Sequence, residues 1–143
     1  MNIIFDYNRT LFDPETNGLY PGVFDILKEL SSRHELFLVS RNAPERRVEL
    51  AQLGIEQYFK TISFVEEKSQ ELFTKLAGSA EKILVIGDSI ADEITIGNML
   101  GFTTIRMKQG AFGTQTPSHP IQVPTHEIST IADITRVIAS YES

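Results

Sequence analysis

Asp6, Ser40, Lys68 and the run Gly87-Asp88-Ser89 are the residues of this sequence whose types could do chemistry together. Two carboxylates, a hydroxyl and an ammonium suit a phosphoryl group held beside a hard cation, the carboxylates taking the cation and the other two the anionic oxygens. Each stands past an apolar run. Asp6 follows Ile3-Ile4-Phe5, Ser40 follows Leu36-Phe37-Leu38-Val39, Lys68 comes shortly after Thr61 to Val65, and Asp88 follows Ile83-Leu84-Val85-Ile86. Short unbroken apolar runs read as strands covered on both faces, the habit of parallel sheets. Such sheets bind ligands beyond the carboxyl ends of their strands, so these polar groups are expected to converge.

Helices must carry the chain between those strands. Val23, Ile26, Leu27 and Leu30 have helical spacing behind Pro21-Gly22. A second helix is expected over 44–53, with Pro44 in its first turn and Gly54 closing it in the left-handed conformation. Leu72, Phe73 and Leu76 give a third its buried face, and a fourth runs over 90–100 to Gly101, ahead of a strand over 102–106. Ile131, Ile134, Val137, Ile138 and Tyr141 mark the last helix, while 13–20 reads as a turn or small hairpin. Residues 108–125, with Gly110, Gly113, Pro117, Pro120 and Pro124, lack periodicity and read as a surface loop. The economical architecture is one α/β domain over 1–143, a three-layer α/β/α sandwich around a parallel, Rossmann-like sheet.

Composition narrows the function classes. A net charge of -6 leaves no clustered cations for a duplex groove, so no nucleic acid is expected as partner. There is no cysteine, which removes disulfides, thiolate metal sites and thiol nucleophiles. No apolar run approaches the roughly 18 residues of a membrane span, and a cytoplasmic location is expected. His34, His119 and His126 have no mutual metal spacing, and Arg46-Arg47 and Glu66-Glu67 read as solvated helix ends.

Four motifs taken in order resemble those of the haloacid dehalogenase-like (HAD) hydrolase superfamily, over nearly the whole chain. Phe5-Asp6-Tyr7-Asn8-Arg9-Thr10-Leu11 resembles the first motif, in which an Asp is the nucleophile. Val39-Ser40 is similar to the second, whose hydroxyl holds the phosphoryl group, and Lys68 to the third, whose ammonium neutralises charge. The segment from Ile86 to Ile94 resembles the fourth, where acids hold Mg²⁺. The resemblance implies a phosphatase working through an aspartyl phosphate on Asp6, with Ser40, Lys68 and the adjoining Arg41 on phosphate. Mg²⁺ would be held by the Asp6 carboxylate, the Asn8 backbone carbonyl, Asp88 and a further acid. Asp92 fits one family spacing for that acid and Glu93 the longer one. Arg9 and Asn42 also adjoin the motifs.

Asn8 departs from the pattern, since phosphatases of the family usually carry there an Asp that serves as acid and then base. An amide has no titratable proton near neutral pH, and losing a general acid-base costs about 10²–10⁴-fold in rate. Metal binding through the backbone is indifferent to the change. Neither of the family's cap insertions fits, which implies a capless, open site. Such a site suits a phosphorylated macromolecule, or a small phosphorylated molecule enclosed by a neighbouring subunit of a homo-oligomer. The alternative is an attenuated HAD-fold protein that binds Mg²⁺, phosphate or a protein partner. A phosphoacceptor receiver domain is disfavoured, because paired acids do not follow the first strand.

Overall fold

Alternate residues of each apolar run face opposite sides of one sheet, and that alternation sets the layering. A computed structural model describes residues 1–109 and 113–142; Gly110, from the expected loop, lies outside them. The elements are β1 (Asn2–Phe5), β2 (Phe12–Asp13), β3 (Gly18–Leu19), α1 (Val23–Ser31), β4 (Glu35–Arg41), α2 (Arg46–Leu53), β5 (Thr61–Val65), α3 (Gln70–Ala77), β6 (Ile83–Gly87), α4 (Thr95–Met99), β7 (Thr103–Met107), β8 (His126–Ile128) and α5 (Ala132–Ala139). Six strands form one sheet in the order β5-β4-β1-β6-β7-β8, with every pairing parallel. Ile3, Phe5, Leu36, Leu38, Leu84 and Ile86 pack on one face with the apolar stripes of α1 and α5. Ile4, Phe37, Val39 and Val85 pack on the other with Phe73 and Leu76 of α3 and Ile96 of α4. This is the expected α/β/α sandwich around a parallel sheet, and β2 with β3 makes the expected hairpin.

Several boundaries differ from the sequence reading. The amide of Asn42 donates to the Val65 carbonyl at 2.9 Å, which keeps the chain extended beyond β4. Pro44 therefore precedes the helix rather than entering it, and α2 starts at Arg46; Gly54 closes it at φ 72°. The helix expected over 90–100 begins with a wide π turn, Ile90–Ile94, before α4. Phe102 does not enter β7, because its amide closes α4 on the Gly97 carbonyl at 2.8 Å. Within the segment read as loop, Pro120–Gln122 form a 3₁₀ turn, and β8 follows it. No apolar run announces β8: only Ile128 of its three residues is buried, as suits an edge strand. No helix of the described residues is long and apolar enough to cross a membrane.

α4 lies tight against the sheet at Gly97, where a Cβ would stand 2.6 Å from Thr104 Cγ2 and 3.2 Å from Val85 Cγ2. Both neighbours are β-branched and stiff at χ1, so the helix must move instead. Gly97→Ala is expected to lower stability by about 1–3 kcal/mol through overpacking. The gain in helix propensity, about 1 kcal/mol at most, does not offset a full clash. Urea denaturation of the two proteins checks this.

Candidate active site

Asp6 emerges at the carboxyl end of β1, between β4 and β6, at the centre of the sheet. Its amide still donates to the Ile86 carbonyl at 2.9 Å, so the side chain is fixed by the ladder. The chain then reverses sharply: the amides of Thr10, Leu11 and Phe12 all reach the Tyr7 carbonyl, at 3.2, 2.9 and 3.0 Å. Arg9 takes φ 62° in this reversal. Tyr7 anchors it from below, its ring stacked on Phe12 at 5.2 Å and its hydroxyl donating to Glu49 at 2.6 Å. Thr10 donates its hydroxyl to Asp6 Oδ2 at 3.4 Å.

Lys68 arrives from the sheet edge. It stands just before Ser69, whose hydroxyl accepts from the Leu72 amide and caps α3. With the helix start fixed there, the lysine runs inward until its side chain is only 5% exposed. Its Nζ donates to Asp6 Oδ1 at 2.7 Å and to Glu93 Oε1 at 3.3 Å.

The π turn after β6 separates the two acids that the sequence left open. Ser89 accepts from the Asp92 amide at 3.2 Å, and Thr95 donates to the Ile90 carbonyl at 2.6 Å, holding the wide turn. Glu93 folds back over Gly87, where a Cβ would sit 2.5 Å from Oε1, so glycine is required beneath it. Asp92 lines the same cavity and accepts from Arg41 Nη2 at 3.1 Å. Of the two acids, Glu93 is the one that joins Asp6 and Asp88 in a group of carboxylate oxygens close enough to share a metal ion.

Asp6, Asp88 and Glu93, all buried, each offer an oxygen within 4.8 Å of the others. Burial would raise the Asp6 carboxyl, but the Lys68 ammonium, with hydrogen bonds from Asp88 and Lys68, holds it below its usual 3.8. Burial pushes Asp88 up to about 8, helped by its hydrogen bond to Asp6 and by that residue's charge. Burial and the charge of Asp6 also drive Glu93 well above the usual 4.5. Burial works against the Lys68 ammonium, yet the charges of Asp6 and Glu93 raise its pKa above 10.5. Asp6 is thus the member shifted toward its ionised form, and Asp88 and Glu93 are shifted toward their protonated forms. Glu93 Oε2 is buried and receives no donor. A hard divalent cation fits this donor set, replacing protons on two carboxyls and filling the orphan oxygen.

Folded Asp88 keeps its proton up to about pH 8, whereas the unfolded chain releases it near 3.8. The folded state therefore binds more protons across that interval, and cation-free stability falls as pH rises through it. Asp6 runs the other way: its contribution is present above 3.8 and is lost as pH falls through its lowered folded value. Urea titrations in chelator should give a lower midpoint at pH 8 than at about pH 5.

Asp6, Asn8, Arg41, Lys68, Asp88 and Glu93 line one cavity of about 320 Å³. Ser40 is fully buried and does not line it. The Ser40 hydroxyl donates to the Arg41 carbonyl at 3.1 Å and accepts from Arg46 Nη1 at 2.5 Å. Arg46 lines the cavity instead. Sequence reasoning missed this residue; its signal is its place at the first position of α2, the helix that starts beyond the carboxyl end of β4. Gln115 was missed too: Arg106, buried on β7, donates Nη2 to its carbonyl at 2.6 Å and ties that loop beside the cavity.

Fold and site together define a class, a parallel α/β protein with a lysine-paired, ionised carboxylate and cation-ready acids at its strand ends. Residues 2–106 match the family model of the haloacid dehalogenase-like hydrolases, and the chain belongs to that family. YfnB of Bacillus subtilis (strain 168), named as a HAD-hydrolase, is 28% identical over 144 residues, covering 92% of this chain and 58% of that protein. The chain thus spans somewhat more than half the length of this relative. The orthorhombic crystal form of YfnB, bound to magnesium, superposes with TM-score 0.70 at 25% identity, over 84% of this chain and 56% of that one. A protein from Listeria monocytogenes serotype 4b shares the fold end to end, with TM-score 0.80, 18% identity and coverage of 98% and 97%. The core domain of a Streptococcus pneumoniae TIGR4 protein named as a phosphoglycolate phosphatase gives 0.68, 23%, 98% and 96%. The last two likenesses speak to the fold alone.

Proposed function

We propose that this protein is a Mg²⁺-dependent phosphatase that carries the phosphoryl group on Asp6 and is slow because Asn8 stands where an acid-base is needed. One observation carries the reading: Lys68 pairs with Asp6 at 2.7 Å while Asp6, Asp88 and Glu93 bring three carboxylate oxygens within 4.8 Å of one another. A bound Mg²⁺ supplies charge neutralisation to the phosphoryl oxygens, with Asp6, Asp88, Glu93 and the Asn8 carbonyl as its holders. Lys68 fixes the Asp6 carboxylate through Oδ1 and offsets its charge as the anionic phosphate approaches. A carboxylate oxygen of Asp6 bonds to phosphorus, the bond to the leaving oxygen breaks, and water later cleaves the aspartyl phosphate. Arg41 contributes charge at the cavity, and Ser40 acts indirectly, by holding the Arg41 carbonyl.

Between Asp6 and α1 lies the β2-β3 hairpin, and α2, a 3₁₀ turn over Glu56–Tyr58 and β5 fill the interval from Ser40 to Lys68. This supports a capless, open site for a phosphorylated macromolecule, or for a small molecule enclosed by a second copy. A cytoplasmic setting agrees with the cysteine-free composition.

Asn8 favours a second reading, an attenuated member of the family that binds Mg²⁺, phosphate or a protein partner and turns over little. p-Nitrophenyl phosphate assays in Mg²⁺ and in EDTA separate the two. Metal-dependent turnover above an Asp6→Asn blank supports the phosphatase, whereas turnover seen only in Asn8→Asp supports the binder. Mg²⁺ is also expected to raise the melting temperature more at pH 8 than at about pH 5, because at low pH it must displace the protons on Asp88 and Glu93.

A further inference from the structure

The two edges of the sheet are protected unequally. β8 has three residues, with Glu127 at its centre paired to Lys108 at 3.3 Å, so that edge is short and charged. β5 at the other edge has five, Thr61-Ile62-Ser63-Phe64-Val65, with no charge, Pro or Gly among them. Among the described residues no strand lies on its outer side. Ile62 and Phe64 are only partly buried against the core there. An open strand of this composition is a template for a further strand. The inner pairing settles which backbone groups are free to receive it. Val65 sits opposite Arg41 and its carbonyl accepts the Asn42 amide at 2.9 Å, so Val65 and, two residues back, Ser63 turn their backbone groups to β4. Ile62 and Phe64 thereby turn theirs outward.

Charge selects the direction of the added strand. Exposed Lys60 precedes β5 and exposed Glu66-Glu67 follow it. A parallel copy would set lysine on lysine and acids on acids, whereas an antiparallel copy sets each lysine end on an acid end. We propose that β5 is a self-association edge, to which a second copy of this chain adds its own β5, antiparallel, about a two-fold axis through Ser63. That register puts Ile62 opposite Phe64 of the second copy, so the outward N–H and C=O groups of both are satisfied and an aliphatic–aromatic pair forms on either side of the axis. Lys60, which also reaches Glu35 of its own chain at 3.1 Å, comes to the Glu66 end of the second copy. The backbone ladder stops there, because the Lys60 amide turns inward to the Leu36 carbonyl at 2.7 Å. The interface is isologous and joins two sheets into one, with the carboxyl strand ends of the two copies on opposite edges. Each cavity therefore stays open, and the association stands independently of the phosphatase reading.

Sedimentation velocity of the full chain from about 1 to about 200 µM, the range in which small interfaces associate, should show a monomer–dimer equilibrium. Ser63→Lys sets two ammonium groups against each other on the axis and should raise the dimer Kd at least about tenfold, with circular dichroism unchanged. The absence of cysteine from the chain allows a direct check of register. Across the axis the Ser63 Cα atoms would stand about 4.5 Å apart, within disulfide reach, and those of Thr61 about 14 Å apart. Oxidation with diamide should therefore join Ser63→Cys into a covalent dimer and leave Thr61→Cys unjoined. A chain that stays monomeric throughout, a dimer untouched by Ser63→Lys, or joining of Thr61→Cys as fast as of Ser63→Cys overturns the inference and leaves the proposed activity standing.

Discussion

Asp6→Asn is expected to remove turnover, by about 10⁴–10⁶-fold as for loss of other enzymic nucleophiles, with the fold intact. The amide keeps the shape of the carboxylate and an oxygen that can accept from Lys68, now held by Asp6 Oδ1 at 2.7 Å. It loses the anionic oxygen that would bond to phosphorus, and one of three acidic ligands of the cation site. Circular dichroism should match wild type while steady-state hydrolysis falls to the blank. A second readout uses the departure at Asn8: if water attack is the slow step, acid-quenched wild type should carry a phosphoryl group detectable by mass spectrometry. Asp6→Asn should carry none. Retained turnover in this variant would remove the nucleophile from Asp6 altogether.

Lys68→Met should cost the most in stability. The ammonium is 5% exposed and serves two buried carboxylates, Asp6 and Glu93. Taking away one member of a buried ion cluster typically costs about 3–5 kcal/mol, because the remaining charges are left without a partner. The cost should depend on pH. Lys68 has a raised folded pKa, so its contribution is present below the unfolded 10.5 and is lost only as pH climbs past it. Near pH 8, where Asp88 is losing its proton, the variant leaves the carboxylates facing one another with no cation. At about pH 5 Asp88 and Glu93 hold protons, and the deficit against wild type should shrink. Mg²⁺ should shrink it as well, by restoring positive charge at the same place. Urea midpoints at the two pH values, with and without Mg²⁺, check all three statements. Equal stability of variant and wild type at pH 8 in chelator would show that Lys68 is not the counter-ion of this cluster.

The strands were legible because burial on two faces writes itself as an unbroken apolar run. Ile3-Ile4-Phe5, Leu36 to Val39 and Ile83 to Ile86 are each buried or nearly so along their length. β8 was not legible, since a three-residue edge strand with one buried side chain carries no such pattern. Pro44 was misread for a related reason. Its fixed φ suits a first turn, but the hydrogen bond from Asn42 to Val65 that delays the helix joins residues distant in sequence.

For the site, the sequence by itself determined which strand ends carry polar groups and that no acid occupies position 8, while the structure set the strands of Asp6 and Asp88 side by side. The first two are properties of position along the chain, fixed once the strands are fixed. Tertiary structure decided the rest, because a side chain's direction out of a turn depends on hydrogen bonds and packing that spacing does not record. The π turn over Gly87 sends Glu93 inward and leaves Asp92 to Arg41. Helix packing sets the start of α2 so that Arg46 covers the Ser40 hydroxyl, and Lys68 crosses from the sheet edge to Asp6 because Ser69 caps α3 just behind it.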